Sequence, residues 1–329
     1  MKTAIVTGLT GQMAYFLVNK LLDKDYKVIG LCRHTTNISE KLKDRKHFFE
    51  NKNFIFETFD LCDVTSIEEV VKKYSPDVFF NCAAMSYVQE SWVTPVSTIN
   101  VTGVGVVNCL EAIRKHKKDC KFVQCSSSEM FGYIDGGKIN ENSQLLPRSP
   151  YGLAKTVGHN AVRVYRDSYG MNAASVIMFN YESEKRGENF FTRKITLGMR
   201  DIIQGNKEFI ELGNLNFVRD WGYAGDYANA LILVGESDIL EDYVVSTEKS
   251  TTGKEFIDLC FKYGNEKLRQ NYFCFNRHIR HNTETFMRPN DLTYLCGDSS
   301  KIRTKLGWTS FFDVEKLART MVNYDLENK

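Results

Sequence analysis

Apolar positions change rhythm repeatedly along the first half of the chain. Short β-rich runs alternate with longer stretches whose apolar residues recur every three or four positions. Residues 3–6, 26–32, 54–59, 78–82, 121–125 and 173–178 read as strands. Phe16, Leu17, Leu21 and Leu22 mark the apolar face of a first helix, and residues 98–116 predict a longer one. A further helix carries Tyr151 and Lys155. Strands alternating with helices predict an α/β fold built on a doubly wound parallel sheet. Beyond residue 180 the pattern is less regular, with helices expected to start near 223–227 and 255 and a last one over 314–322. The expected division is a Rossmann domain over 1–180 and a smaller, interleaved substrate-binding region over 181–329, some segments of which return to the sheet.

Composition narrows the class. With 43% apolar and 26% charged residues, the chain has the balance of a soluble globular protein. A formal charge of +2 over 329 residues gives no case for nucleic acid or a membrane surface. No apolar stretch reads as long enough to cross a membrane, and Gly8 and Gly11 interrupt the N-terminal run too early for a signal peptide. The nine cysteines are scattered, without a Cys-x-x-Cys pair. Cys62, Cys82, Cys109 and Cys125 lie in or beside apolar segments and are expected to be buried thiols of a reducing cytosol. The histidines form no metal-like cluster, and His278-x-x-His281 reads as a solvated face.

The chemistry gathers at the strand ends. After the first strand comes Gly8-Leu-Thr10-Gly11-Gln12-Met13-Ala14, then a helix. In that context glycines let the backbone approach a pyrophosphate, and the helix N-terminus offers amides and positive potential. The second strand ends at Cys32-Arg33-His34-Thr35, a cation and a hydroxyl with no acid. That set suits a ribose 2′-phosphate, so NADP is the expected cofactor. Asp60 and Leu61 end the third strand where an adenine edge would lie, and Asn81-Cys-Ala83-Ala84-Met-Ser86 leaves space for the cofactor after the fourth. Ser126-Ser127-Ser128-Glu129 follows the fifth. Tyr151 and Lys155, four apart, share a helix face. A lysine ammonium beside a phenol favours the phenolate, which makes a general base for a sugar hydroxyl.

The glycine turn, Asn81-Cys-Ala-Ala and Tyr151-x-x-x-Lys155, in this order, resemble the extended short-chain dehydrogenase/reductase family. Within it the chain more closely resembles the GDP-mannose 4,6-dehydratases over nearly its whole length. The resemblance is carried by Thr7-Gly-Leu-Thr-Gly-Gln12, Ser128-Glu-Met-Phe-Gly132 and Pro147-Arg-Ser-Pro-Tyr-Gly152. It is most specific in Arg186-Gly-Glu-Asn-Phe-Phe-Thr-Arg-Lys-Ile195, Leu212-Gly-Asn-Leu-Asn216 and Arg219-Asp-Trp-Gly222. Arg288-Pro289, Gly297-Asp298 and Leu306-Gly-Trp308 extend it.

The resemblance implies a retained NADP and a defined division of labour. Tyr151 takes the proton of the sugar 4-hydroxyl as hydride leaves carbon 4, with Lys155 holding the nicotinamide ribose. Glu129 removes the carbon 5 proton and protonates the departing 6-hydroxyl; Ser127 bonds the 4-oxygen. Hydride then returns to carbon 6. Tyr181, which replaces a cofactor-side histidine, and Arg186 are implied on the cofactor side. Ser86, Ser128, Asn180, Asn189, Lys194, Arg219, Arg288 and Asp291 are implied as substrate contacts. Cations at 194, 219 and 288 suit a diphosphate. A homodimer is implied through residues 98–116 and 150–169, and a tetramer less securely, because His34 replaces an arginine that joins dimers in relatives. GDP-mannose leads as substrate; GDP-N-acetylglucosamine dehydration and nucleotide-sugar 4-epimerisation are the alternatives, since Tyr181 and Glu184-Lys185 depart from the family's pattern.

Overall fold

A computed structural model of the chain describes residues 1–133, 136–282 and 292–327. Seven parallel strands form the central sheet. They are β1 (Thr3–Thr7), β2 (Lys27–Cys32), β3 (Phe54–Thr58), β4 (Val78–Asn81), β5 (Lys121–Ser127), β6 (Ala173–Met178) and β7 (Tyr243–Val245). Their order is β7-β6-β5-β4-β1-β2-β3, every neighbour parallel.

The apolar runs are continuous because both faces are covered. Alternate residues of one strand serve opposite layers. Ala4 and Val6 pack with Leu17 of helix α1 (Gln12–Asp23), whereas Ile5 packs with Ile67 of α2 (Val64–Tyr74) and Val106 of α3 (Pro95–His116). Helix α4 (Pro150–Tyr169) adds Val162 to the second layer. On α1, Val18 takes a buried place that the apolar pattern assigned to Phe16, which is half-buried and meets the Tyr223 ring edge-on at 5.2 Å.

Helix α3 corrects one expectation. It starts at Pro95, passes through a π-helical turn at Asn100–Val104 and runs on to His116. It has 22 residues and an 18-residue window of mean hydropathy 1.4, long and apolar enough to cross a membrane by length and composition. Half of its apolar window is buried inside the fold, where it packs on α2 and α4 as a core helix.

The second half returns to the sheet and also builds its own core. Helix α6 (Ala224–Glu236) packs on α1, and β7 follows it onto the free edge of β6. This seventh strand escaped the sequence reading because it is only three residues long. Around α5 (Phe191–Ile203), α7 (Gly253–Leu268) and α8 (Val314–Glu327), a separate cluster collects Trp221, Phe256, Phe261 and Leu317. Phe191 stacks on Trp221 with ring planes 2° apart. Asp220, fully buried, accepts hydrogen bonds from the N–H of Thr247, Glu248 and Gly297 and from the Thr247 hydroxyl. Burial raises its pKa against these four donors.

Two further expectations need correction. His278 is 1% exposed, stacked on Tyr272 at 5.6 Å and accepting the Cys274 N–H; only His281 is exposed. The aromatic residues around it bury the ring rather than leave it to water. Cys109 and Cys125 are buried, but Cys62 is exposed in the turn before α2 and Cys82 is half-buried.

Candidate active site

The strand order reverses direction between β4 and β1, which leaves a crevice at the carboxyl ends of the strands. A cavity of about 730 Å³ occupies it, within the size range of ligand sites.

The glycine turn forms one wall. Gly8 has φ +75°, and a β-carbon there would lie 2.9 Å from the Ala83 Cα, so only glycine lets the two strand ends meet. Gly11 is the N-cap of α1 and makes no side-chain cap bond, and the first turn carries no acid. The leading amides of α1 therefore remain free to bind an anion. Ala14 is fully buried at the helix–sheet contact. Gln12 lines the cavity but spends its amide on the Tyr181 carbonyl (2.9 Å) and on accepting the Ser183 hydroxyl (2.6 Å). This cradle, which a β-carbon would fill, fits a dinucleotide pyrophosphate.

Of the residues the sequence singled out for the cofactor, Thr10, Gly11, Met13, Arg33, Leu61, Ala83, Ala84 and Ser86 line the cavity. Asn81 and Asp60 do not. Asn81 is fully buried, accepts from the Thr7 hydroxyl (2.7 Å) and donates to Gln124 (2.8 Å); Thr7 in turn accepts the Ala83 N–H. Its influence on the cavity passes through that chain. Asp60 caps the Cys62 N–H, while its neighbours Phe59 and Leu61 face the cavity.

Two cations at this end were missed. Lys41 lines the cavity with Arg33 and Thr35. It lies eight residues past Arg33 on a one-turn helix, Ile38–Lys41, so nothing in the local pattern signals its return. Arg45 is 4% exposed and donates to the Thr10 and Gly11 carbonyls at 3.0 and 3.1 Å. It holds the glycine turn from behind.

The candidate catalytic groups meet in the middle. β5 ends at Ser127, whose hydroxyl oxygen accepts the Glu129 N–H (3.3 Å) and starts a short 3-10 turn. Ser149 caps α4 by accepting the Gly152 N–H, with Pro150 in the first turn. A β-carbon on Gly152 would lie 2.7 Å from the Glu129 carbonyl oxygen, so this glycine lets the tyrosine helix abut the glutamate turn. Tyr151 and Lys155 are 8% and 5% exposed, both lining the cavity. The Lys155 ammonium is 5.8 Å from the Tyr151 ring centre and donates to the Cys125 carbonyl (2.8 Å). Ser127, Ser128 and Glu129 line the same space.

Beyond them, Asn180, Tyr181, Arg186, Asn189, Lys194 and Arg219 complete the cavity. The Asn180 Oδ1 is buried without a hydrogen-bond partner among the described residues, an acceptor open to a ligand donor. Burial holds the Tyr181 phenol well above its usual pKa. Arg186 pairs with buried Glu182 at 3.2 Å and lies 3.4 Å over the Phe190 ring. Burial lowers the pKa of Lys194. Arg219 is buried over Phe217, and Trp221 belongs to both core and cavity wall. Arg288 and Asp291 lie outside the described residues.

Comparison with known proteins places this geometry. The model of the family described as GDP-mannose 4,6 dehydratase matches residues 5–321. GDP-mannose 4,6 dehydratase 1 of Arabidopsis thaliana is 38% identical over 99% of this chain and 90% of that protein. The GDP-mannose 4,6-dehydratase of Yersinia enterocolitica is 33% identical over 99% and 94%. Among solved structures, the dTDP-glucose 4,6-dehydratase of Bacillus anthracis in complex with NAD superposes with a TM-score of 0.86 at 20% identity, covering 100% of this chain and 97% of that one. The UDP-glucose 4-epimerase of Thermotoga maritima with UDP-glucose gives 0.84 at 22%, covering 99% of each. These two share the fold.

Proposed function

This chain belongs to the GDP-mannose 4,6-dehydratase family, and from that membership we propose that its cleft converts GDP-mannose to the GDP-4-keto-6-deoxy sugar with NADP as resident cofactor. The observation that carries the reading is that Glu129 lines the same cavity as Tyr151 and Lys155. A 4-epimerase uses the tyrosine but has no elimination for a carboxylate to catalyse.

Bound along the glycine turn, NADP would accept a hydride from carbon 4 and give it back at carbon 6. The chain's own residues move the protons. Tyr151 accepts the 4-hydroxyl proton, its phenolate favoured by the Lys155 ammonium that the Cys125 carbonyl anchors. Because the Ser127 oxygen already accepts the Glu129 N–H, its own proton is available to the sugar 4-oxygen. Once carbon 4 is a ketone, the carbon 5 proton is acidic. Glu129 removes it and hands a proton to the departing 6-hydroxyl. Asn180, Asn189, Lys194 and Arg219 hold the sugar diphosphate, with the orphaned Asn180 oxygen accepting from a substrate hydroxyl. Ser86 and Ser128 border the sugar, and Tyr181 and Arg186 back the nicotinamide.

Mass spectrometry after incubation with single nucleotide sugars tests the reaction. Loss of one water from GDP-mannose is expected. Loss of water from GDP-N-acetylglucosamine alone would reassign the sugar; an isomer with no mass loss would indicate epimerisation.

NADP rather than NAD is favoured by Arg33 and Lys41 at one end of the cavity. Lys41→Ala is expected to weaken NADP binding about tenfold or more, the worth of a charge-assisted bond, and to leave NAD binding unchanged. Titration calorimetry with both dinucleotides checks this; equal losses for the two would remove Lys41 from the 2′-phosphate.

A homodimer is favoured by the outer faces of α3 and α4, where Val96, Val104, Leu153 and Val164 are 42–69% exposed. Two copies of this helix pair would bury each other's apolar positions. Light scattering should give a dimer mass for the wild type and a monomer for Val96→Glu combined with Leu153→Glu. A monomeric wild type at micromolar concentration would reject the interface. The nine free cysteines suit a reducing, cytoplasmic setting.

A further inference from the structure

The thiols of Cys82 and Cys125 lie in the cavity and have no part in the proton transfers. Their sulfurs are 3.3 Å apart. Strand register explains the meeting. β4 and β5 run parallel with Asn81 opposite Gln124, so the next residues, Cys82 and Cys125, emerge side by side at the carboxyl edge. Neighbouring strands are about 4.8 Å apart, and a disulfide spans Cα atoms separated by roughly 4.4–6.8 Å. Both residues line the cavity; Cys125 is 4% exposed and Cys82 is half-buried.

We propose that Cys82 and Cys125 form an oxidisable dithiol that closes to a disulfide when hydrogen peroxide enters the cofactor cavity. Cys82, the less buried of the two residues, attacks one peroxide oxygen as the thiolate. The O–O bond breaks, leaving a sulfenic acid on Cys82 and a hydroxide that becomes water with the proton the Cys82 thiol released. The Cys125 sulfur then attacks the Cys82 sulfur; the S–S bond forms, the S–O bond breaks, and the hydroxyl departs as water with the Cys125 proton. Two thiols and one peroxide give one disulfide and two waters, and a dithiol reductant reverses the change. Contact with Cys125, and then burial, hold the Cys82 thiol well above its ordinary pKa. Since the thiolate reacts, closure quickens as pH rises.

Closure would act on the site through the backbone. The Cys125 carbonyl anchors the Lys155 ammonium. Cys82 precedes Ala83, the residue against which Gly8 is packed. Bringing the sulfurs to bonding distance, an approach of roughly 1.2 Å, pulls on the lysine anchor and the glycine-turn seat together. A dinucleotide lying over the thiols would shield them; this part alone rests on the cofactor reading above.

The test is peroxide treatment of the full-length protein, with and without saturating NADP, followed by non-reducing digestion and peptide mass mapping. Without NADP, peptides joined through Cys82 and Cys125 are expected, about two mass units below their sum. Activity relative to the untreated sample should fall roughly a hundredfold, the scale of an ångström-sized displacement of reacting groups, and return with dithiothreitol. NADP should slow the linkage. Cys82→Ser and Cys125→Ala, each measured against its own untreated activity, should lose the recoverable inactivation. Should neither variant fold, the wild-type peptide map decides alone. If conditions that oxidise exposed Cys62 leave Cys82 and Cys125 open to iodoacetamide with no linked peptide, the proposal fails. A linked peptide without loss of activity would overturn its effect on the site. Because the peptide map needs no turnover, failure of the dehydratase reading would show separately.

Discussion

Glu129→Gln is expected to lower kcat for dehydration by roughly 10²–10⁴, the span of positioned acid–base groups. The amide is nearly the same shape, so the turn capped by Ser127 should persist. What is lost is the ability to take the carbon 5 proton and return one to the 6-oxygen. Oxidation at carbon 4 does not need that carboxylate. The variant should therefore accumulate reduced nicotinamide with GDP-mannose, visible as its absorbance band, while water loss stalls. A variant that dehydrates near the wild-type rate would remove Glu129 from the elimination.

Tyr151→Phe is expected to cost a similar factor, roughly 10²–10⁴, one step earlier. The ring still fills its place in α4, 8% exposed, and the Lys155 ammonium still donates to the Cys125 carbonyl. With no phenol to accept the 4-hydroxyl proton, carbon 4 is not oxidised, and no reduced nicotinamide should appear. The contrast between the variants is the stronger test, because a generally damaged site would not separate them. Rapid-mixing absorbance and product mass, measured in parallel, read both. Reduced nicotinamide at the wild-type rate in Tyr151→Phe would pass the base role to another group.

Much of the sheet was legible because parallel strands covered on both faces carry near-continuous apolar runs, as residues 4–6 and 78–80 do. The glycine turn and the Tyr151–Lys155 pair were legible because each depends on spacing within one segment. What was not legible depends on where chains return. Lys41 re-enters the cavity only through the fold of the loop after β2, and Arg45 reaches backward to carbonyls 34 and 35 residues earlier. Asn81 marks the right strand end, but its side chain turns into the sheet to hold Thr7 and Gln124. His278 looked solvent-facing because its aromatic neighbours are adjacent in sequence as well as in space. The closeness of Cys82 and Cys125 follows from strand register, which no single stretch of sequence records.

The late arrival of β7 has a consequence for how the protein is made. Until residue 245 leaves the ribosome, β6 has no partner on its outer side, and until residue 236 does, α6 is not available to cover α1. The exposed edge would be Ala-Ala-Ser-Val-Ile-Met, six residues buried in the finished fold. Such an apolar edge is a template for pairing between chains. A fragment ending near residue 180 would hold the glycine turn, Glu129, Tyr151 and Lys155, yet carry an adhesive border. Synthesis thus passes through an interval of some sixty residues in which the nascent chain depends on dilution or a chaperone, and dissecting the enzyme at its apparent domain boundary would make that interval permanent.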